Sequence, residues 1–191
     1  MIVGCNINAT PKLSPGLPLA SYGVCLDDSE NNTIVFSNVS KAGNIGYGLY
    51  LDDSTGNFIC HNLVEENDFG VFLTSSSDNH IAMNNISNNY LSGMTIIMMS
   101  SSNNSIYWND FILNGFGISP QAFDDGSGNH WNSSGNETLN YVSSGEGNYW
   151  SDYSGIDNDG DGIGDTSYQI PGIANAEDSY PVMVPNFFEF Y

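Results

Sequence analysis

Apolar residues in this chain alternate with polar ones in short runs, and the runs recur at a nearly fixed distance. The clearest marker is an asparagine two residues ahead of an apolar residue: Asn32 before Ile34, Asn57 before Ile59, Asn79 before Ile81, Asn104 before Ile106 and Asn129 before Trp131. The spacings between markers are 25, 22, 25 and 25 residues. Three residues ahead of each asparagine stand Ser29, Ser54, Ser76, Ser101 and Gly126. Three further back come Leu26, Leu51, Leu73, Met98 and Phe123, and two before those Val24, Leu49, Val71 and Ile96, with Gln121 breaking the column. Downstream, Val39, Leu63, Ile86 and Phe111 form another apolar column.

A period of two over three or four residues predicts short strands with one face turned inward. No stretch carries a 3.6-residue period long enough for a helix. Strands that repeat at a fixed distance with no helices between them bury their apolar faces by coiling, so that successive rungs pair in parallel about 4.8 Å apart. The aligned asparagines are then expected to stack at the turns, amide on amide. A sandwich of hairpins would need two-residue turns and leaves the identical columns unexplained. The predicted fold is all-β, a right-handed single-stranded parallel β-helix (solenoid) with an irregular C-terminal capping segment. Rungs are expected over 1–131, a linker over 132–147 and the cap over 148–191.

Ile2 and Ile7 match the spacing of Ile34 and Val39. The chain is therefore expected to open halfway through a rung, with a loop over 9–21 that contains Pro11, Pro15 and Pro18. An open rung exposes unpaired backbone. It implies either further rungs upstream or homo-assembly through that edge.

Composition narrows the function. The 191 residues carry a formal charge of −20, with Lys12 and Lys41 the only basic side chains, while 40% of residues are hydrophobic. Such a surface repels nucleic acid, whose binding needs Lys and Arg on phosphates. Cys5, Cys25 and Cys60 are an odd number with no metal-type spacing, so a disulfide framework is not expected. No membrane span or signal peptide is legible. Sequons at Asn8, Asn31, Asn38, Asn85, Asn103, Asn132 and Asn136 matter only in an exported protein.

Asp157, Asp159 and Asp161 alternate through a glycine-containing turn, and Asp165 follows. Carboxylates so spaced converge their oxygens as a hard cation requires, which makes calcium the expected cofactor. The pattern is like the first half of an EF-hand loop without its terminal glutamate or flanking helices. A solvated acidic turn is the alternative, disfavoured because so many like charges packed together repel.

The closing stretch GNYWSDYSGIDNDGDGIGDTSYQIPG, followed by EDSYPVM, resembles the end of NosD-like periplasmic copper-binding β-helix proteins and of archaeal surface proteins with CASH-type repeats. GLYLDDSTGNFICHN and GVFLTSSSDNHIAMNNISNN resemble their repeats. The resemblance covers about residues 22–185. It implies the fold, an extracellular, cell-surface or periplasmic location, and copper as a second candidate metal.

For copper, the donors at hand are Cys60, His61 and Met83, the last in the column of His61 one rung later. Phe36 and Trp108 fill the same column, so a packing position is the plainer reading. For glycans, Tyr50 and Phe72 adjoin on an outward column. Catalysis is not expected. A lyase lacks basic residues, and the acid pairs Asp27-Asp28 and Asp52-Asp53 fall in turns, followed by Thr74-Ser75. The expected function is a non-catalytic secreted or surface module for glycan binding, adhesion or envelope structure, stabilised by calcium. A NosD-like copper accessory protein is the alternative, and a degenerate carbohydrate-active enzyme the second.

Overall fold

A computed structural model describes residues 1–8, 20–42, 45–133 and 146–186. Three parallel sheets run along one solenoid. Sheet A stacks Ile2–Val3, Thr33–Val35, Phe58–Cys60, His80–Ala82 and Ser105–Tyr107. Sheet B stacks Asn6–Asn8, Asn38–Ser40, Leu63–Glu65, Asn85–Ser87, Asp110–Ile112 and Tyr149–Trp150. Sheet C carries the longest strands: Ser21–Asp27, Gly46–Asp52, Phe69–Thr74, Ser92–Ile97 and Ala122–Asp124. The parallel β-helix read from the spacing is the fold.

The opening half-rung is in register too: Ile2 pairs with Ile34, and Ile7 with Val39. Most of the loop expected over 9–21 lies outside the described residues, as does the sequon at Asn136.

The interior is filled by columns of one residue per rung. Ile34, Ile59, Ile81 and Ile106 form one; Val39, Val64, Ile86, Phe111 and Trp150 another. Sheet C supplies Val24, Leu49, Val71, Met94 and Ala122, beside Leu26, Leu51, Leu73 and Ile96. Nearly all are fully buried. At the start of sheet C a glycine column is needed because rungs touch there. A Cβ on Gly48 would sit 2.6 Å from the Gly70 carbonyl and 2.8 Å from Val64.

Three expectations shift. Val64, not Leu63, points into the core; two adjacent apolar residues hide which of them faces inward, and Leu63 pairs on the outer side with Asn38 and Asn85. Met94, not Ile96, shares the interior column of Val71, and Ile96, not Met98, lies opposite Leu73. Asn89 to Met94 spans one residue more than Asn67 to Val71, and Met94 to Asn104 two more than Val71 to Asn79. The first extra residue falls before Ser92, and the other two bulge at the turn after Ile97, which leaves Met98 56% exposed. Phe123 and Gln121 likewise leave the columns assigned to them, since Ala122 and Asp124 take the inward places.

The rungs also run past residue 131. Tyr149–Trp150 pairs with Asp110–Ile112, so sheet B gains a strand after the segment read as a linker. The Trp150 ring stacks on Phe111 at 4.4 Å and on Tyr168 at 4.1 Å, joining the cap to the core.

Candidate functional site

Each corner of the solenoid is held by a row of asparagines. In the first, Asn32, Asn57, Asn79 and Asn104 each donate Nδ2–H to the Oδ1 of the next asparagine, ending at Asn129, at 3.0–3.2 Å. The same Oδ1 also accepts the backbone N–H of the preceding asparagine, as at Asn57 and Asn79. This is the amide stack expected from the repeat. Two more rows were not anticipated: Asn62, Asn84, Asn109 and Asn148, then Asn67, Asn89 and Asn114. Their signal stands in the sequence as asparagines five residues apart, at 57, 62 and 67 and again at 79, 84 and 89.

Every row runs one way and ends on an acceptor at the C-terminal end: Asp124, Asp178 and Gln121 respectively. Asp124 and Asp178 each also accept an indole N–H, from Trp131 at 2.8 Å and Trp150 at 2.9 Å. Burial pushes the Asp178 carboxyl up to about 6, against the lowering pull of its N–H donors. The cap is therefore wired into the rungs, and repeat reasoning missed these terminators because each occurs once.

His61 and Met83 occupy equivalent corners one rung apart. Phe36, His61, Met83 and Trp108 all have φ between 51° and 57°, the left-handed turn conformation. His61 stacks on Phe36 with ring centroids 5.2 Å apart. Burial holds its imidazole below its ordinary value, so the ring is neutral at pH 7. Met83 is 4% exposed and packs with Ala82, Tyr107 and Trp108. Cys60 is separate in kind. It lies on the strand before the corner, in register with Val35 and Ala82, and burial lifts its thiol to about 11. A thiol so held stays protonated and is a poor soft ligand. The imidazole and thioether thus suit a soft monovalent copper ion in type, and the column brings them to adjacent corners.

On the outer face of sheet C, Tyr50 and Phe72 are the visible part of a larger patch. Tyr22, Tyr47 and Phe69 form one aromatic column, and Tyr50 and Phe72 a second beside it. Within columns the rings are near parallel, at 5.5, 5.2 and 5.7 Å; between columns they meet at steep angles. Each ring therefore covers part of its neighbour's face. The Tyr50 and Tyr47 hydroxyls stand near the carboxylates of Asp52 and Asp68 respectively. Burial and then Asp52 raise the Tyr50 hydroxyl to about 12, so it stays a donor, reaching Asp52 at 3.4 Å.

In the cap, carboxylate oxygens of Asp157, Asp159 and Asp161 all lie within 4.8 Å of one another. Asp157 accepts the backbone N–H of Gly160 and Gly162 at 2.7 and 3.0 Å, and the Gly162 bond, first among its causes, holds that carboxyl below its usual range. Asp165 is placed apart from the trio: it accepts both N–H groups of Asn158 and so closes the loop. No helix flanks the loop among the described residues, as expected.

A family profile described as "Periplasmic copper-binding protein (NosD)" matches residues 19–155. The chain belongs to the NosD family. No curated protein and no solved structure matches it. The NosD match spans the rungs and the start of the cap, so the asparagine rows and the corner columns fall inside it. Among the described residues of this NosD-family chain, no helix is long and apolar enough to cross a membrane.

Proposed function

We propose that this chain is a non-catalytic, extracytoplasmic copper-binding β-helix whose soft-donor corner, His61 with Met83, takes Cu(I). The observation that carries the reading is their placement at equivalent corners of adjacent rungs, about 4.8 Å apart along the axis. The imidazole is already neutral and so needs to lose no proton to become a donor. The family description points the same way. Bound copper would supply soft-ion storage or transfer. What the chain's own residues do is hold two soft donors on a rigid rod, between the Phe36 and Trp108 rings. Cys60 contributes packing instead.

Competition of the purified chain with a chromophoric Cu(I) chelator tests this. His61→Ala and Met83→Leu should each weaken the affinity at least tenfold while the melting midpoint moves little. Equal affinity in both variants rejects the assignment.

A second reading, glycan binding on sheet C, is favoured by the five-ring patch over Tyr22, Tyr47, Tyr50, Phe69 and Phe72. It ranks below copper because the rings partly cover each other's faces, which are what a sugar stacks on. Binding there would rest on Tyr hydroxyls and Asp27 and Asp52 instead. Calcium in the Asp157–Asp161 loop is a further part of the proposal, supported by the convergence of its three carboxylates.

A further inference from the structure

Beside the capped end lies a cavity of about 320 Å³ that shares only Asp161 with these roles. Its lining includes Trp108, the acidic residues Glu146 and Asp161, the polar Asn186, and the apolar Ile163, Val182 and Val184. Four separate pieces of backbone build it, one of them the stretch at Glu146. Trp108 comes from the last corner of its column, and its N–H donates to Gly147. Asp161 and Ile163 come from the acidic loop, while Val182 and Val184 come from the chain's last described segment. That segment is fixed on both sides. Val182 donates to the Asn148 carbonyl at 3.0 Å, and Met183 to Gly162 at 2.9 Å. The walls are therefore held by backbone bonds from both the rungs and the loop, and the space between them is preformed.

The chemistry of the lining is one-sided. Two acidic residues, a tryptophan and three branched aliphatic residues line it, and no basic residue is among the lining positions. An aromatic ring attracts a cation through its quadrupole, most strongly for indole. Apolar walls favour a cation that carries methyl groups over one that needs hydrogen bonds on every side. The whole-chain charge of −20 raises the local concentration of any cation. Ile163, Val182 and Val184 add no oxygen ligands, so these walls favour the methyl groups of an organic cation over the full oxygen shell of a divalent ion.

We propose that this cavity is a binding site for a methylated ammonium group, quaternary or tertiary, on a small solute or at the end of a larger ligand. The cation lies against Trp108, and Asp161 and Glu146 neutralise it. It does not depend on copper at His61.

The test is a titration of the full chain with tetramethylammonium chloride at constant ionic strength, followed by tryptophan emission. Of the three tryptophans, Trp131 and Trp150 are each 1% exposed, so Trp108 is the one that can report a ligand. Saturation in the millimolar range is expected, weakened at least fivefold in both Asp161→Asn and Glu146→Gln. An equal response to sodium chloride overturns the proposal, as does an unsaturable one or one indifferent to both variants. Asp161 also belongs to the acidic trio, so Asp159→Asn serves as the control: it should leave the ammonium response intact, and its loss would assign the effect to the loop. Calorimetry on Trp108→Leu should find no binding; retained affinity rejects the indole's role.

Discussion

The backbone N–H of Asn148 donates to the Asp178 carboxylate at 2.6 Å, and this bond terminates an amide row that begins four rungs earlier. The row passes from Ser37 through Asn62, Asn84 and Asn109 before it reaches Asn148. An amide row needs an acceptor at its end. A carboxylate serves there without presenting the N–H donors that another rung would pair with. Asp178 thus couples the stability of the rungs to that of the cap.

Asn84 sits in mid-row with no exposure. Its Oδ1 accepts two N–H groups of Asn62, and its Nδ2 donates to Asn109 and to the Ile59 carbonyl. Asn84→Ala leaves these groups buried and unpaired, at a cost of about 3 kcal/mol. Exposed Ser100→Ala should change stability by no more than about 0.5 kcal/mol. Urea unfolding midpoints measure both, and equal midpoints would mean the row is ornamental.

Asp178 makes stability depend on pH. Its folded value, about 6, lies above the ordinary 3.8 because burial disfavours the charge. The folded state therefore takes up the proton before the unfolded state does. The cost of burying the charge is complete above pH 6 and is relieved as the pH falls from 6 towards 4, so this group stabilises the fold in mild acid. Carbon-detected NMR of the Asp178 carboxyl should give a midpoint near 6. A midpoint at or below 4 contradicts the assignment.

Met94 and Met98 separate the two possible registers of sheet C. Met94 is fully buried and Met98 faces solvent. Met94→Ala should cost about 3 kcal/mol by leaving a cavity, and Met98→Ala no more than about 0.5 kcal/mol. The reverse order, read by thermal melts, would restore the register suggested by simple spacing.

Calcium in the acidic loop should stabilise the cap by mass action, by about 2.7 kcal/mol at a hundred times the dissociation constant. Chelation is expected to lower the melting midpoint, and Asp159→Asn to abolish the difference between calcium and chelator. Superimposable melts with and without chelator would reduce the loop to a hydrogen-bonded acidic turn.

The spacing of Asn32, Asn57, Asn79, Asn104 and Asn129 was enough to determine the solenoid, because a column of identical residues at one period has a single geometric solution. The pairing of Ile2 with Ile34 followed from the same arithmetic. Spacing alone did not decide between Leu63 and Val64, or between Met94 and Met98. A period of two says which residues alternate, not which set faces inward, and extra residues can bulge on either side of a strand. The acidic trio was legible because its residues are neighbours in the chain. The terminators Asp124, Asp178 and Gln121, and the cavity between Trp108, Glu146 and Asp161, were not. They join residues far apart in sequence, each present once, and only the coiling of the chain brings them together.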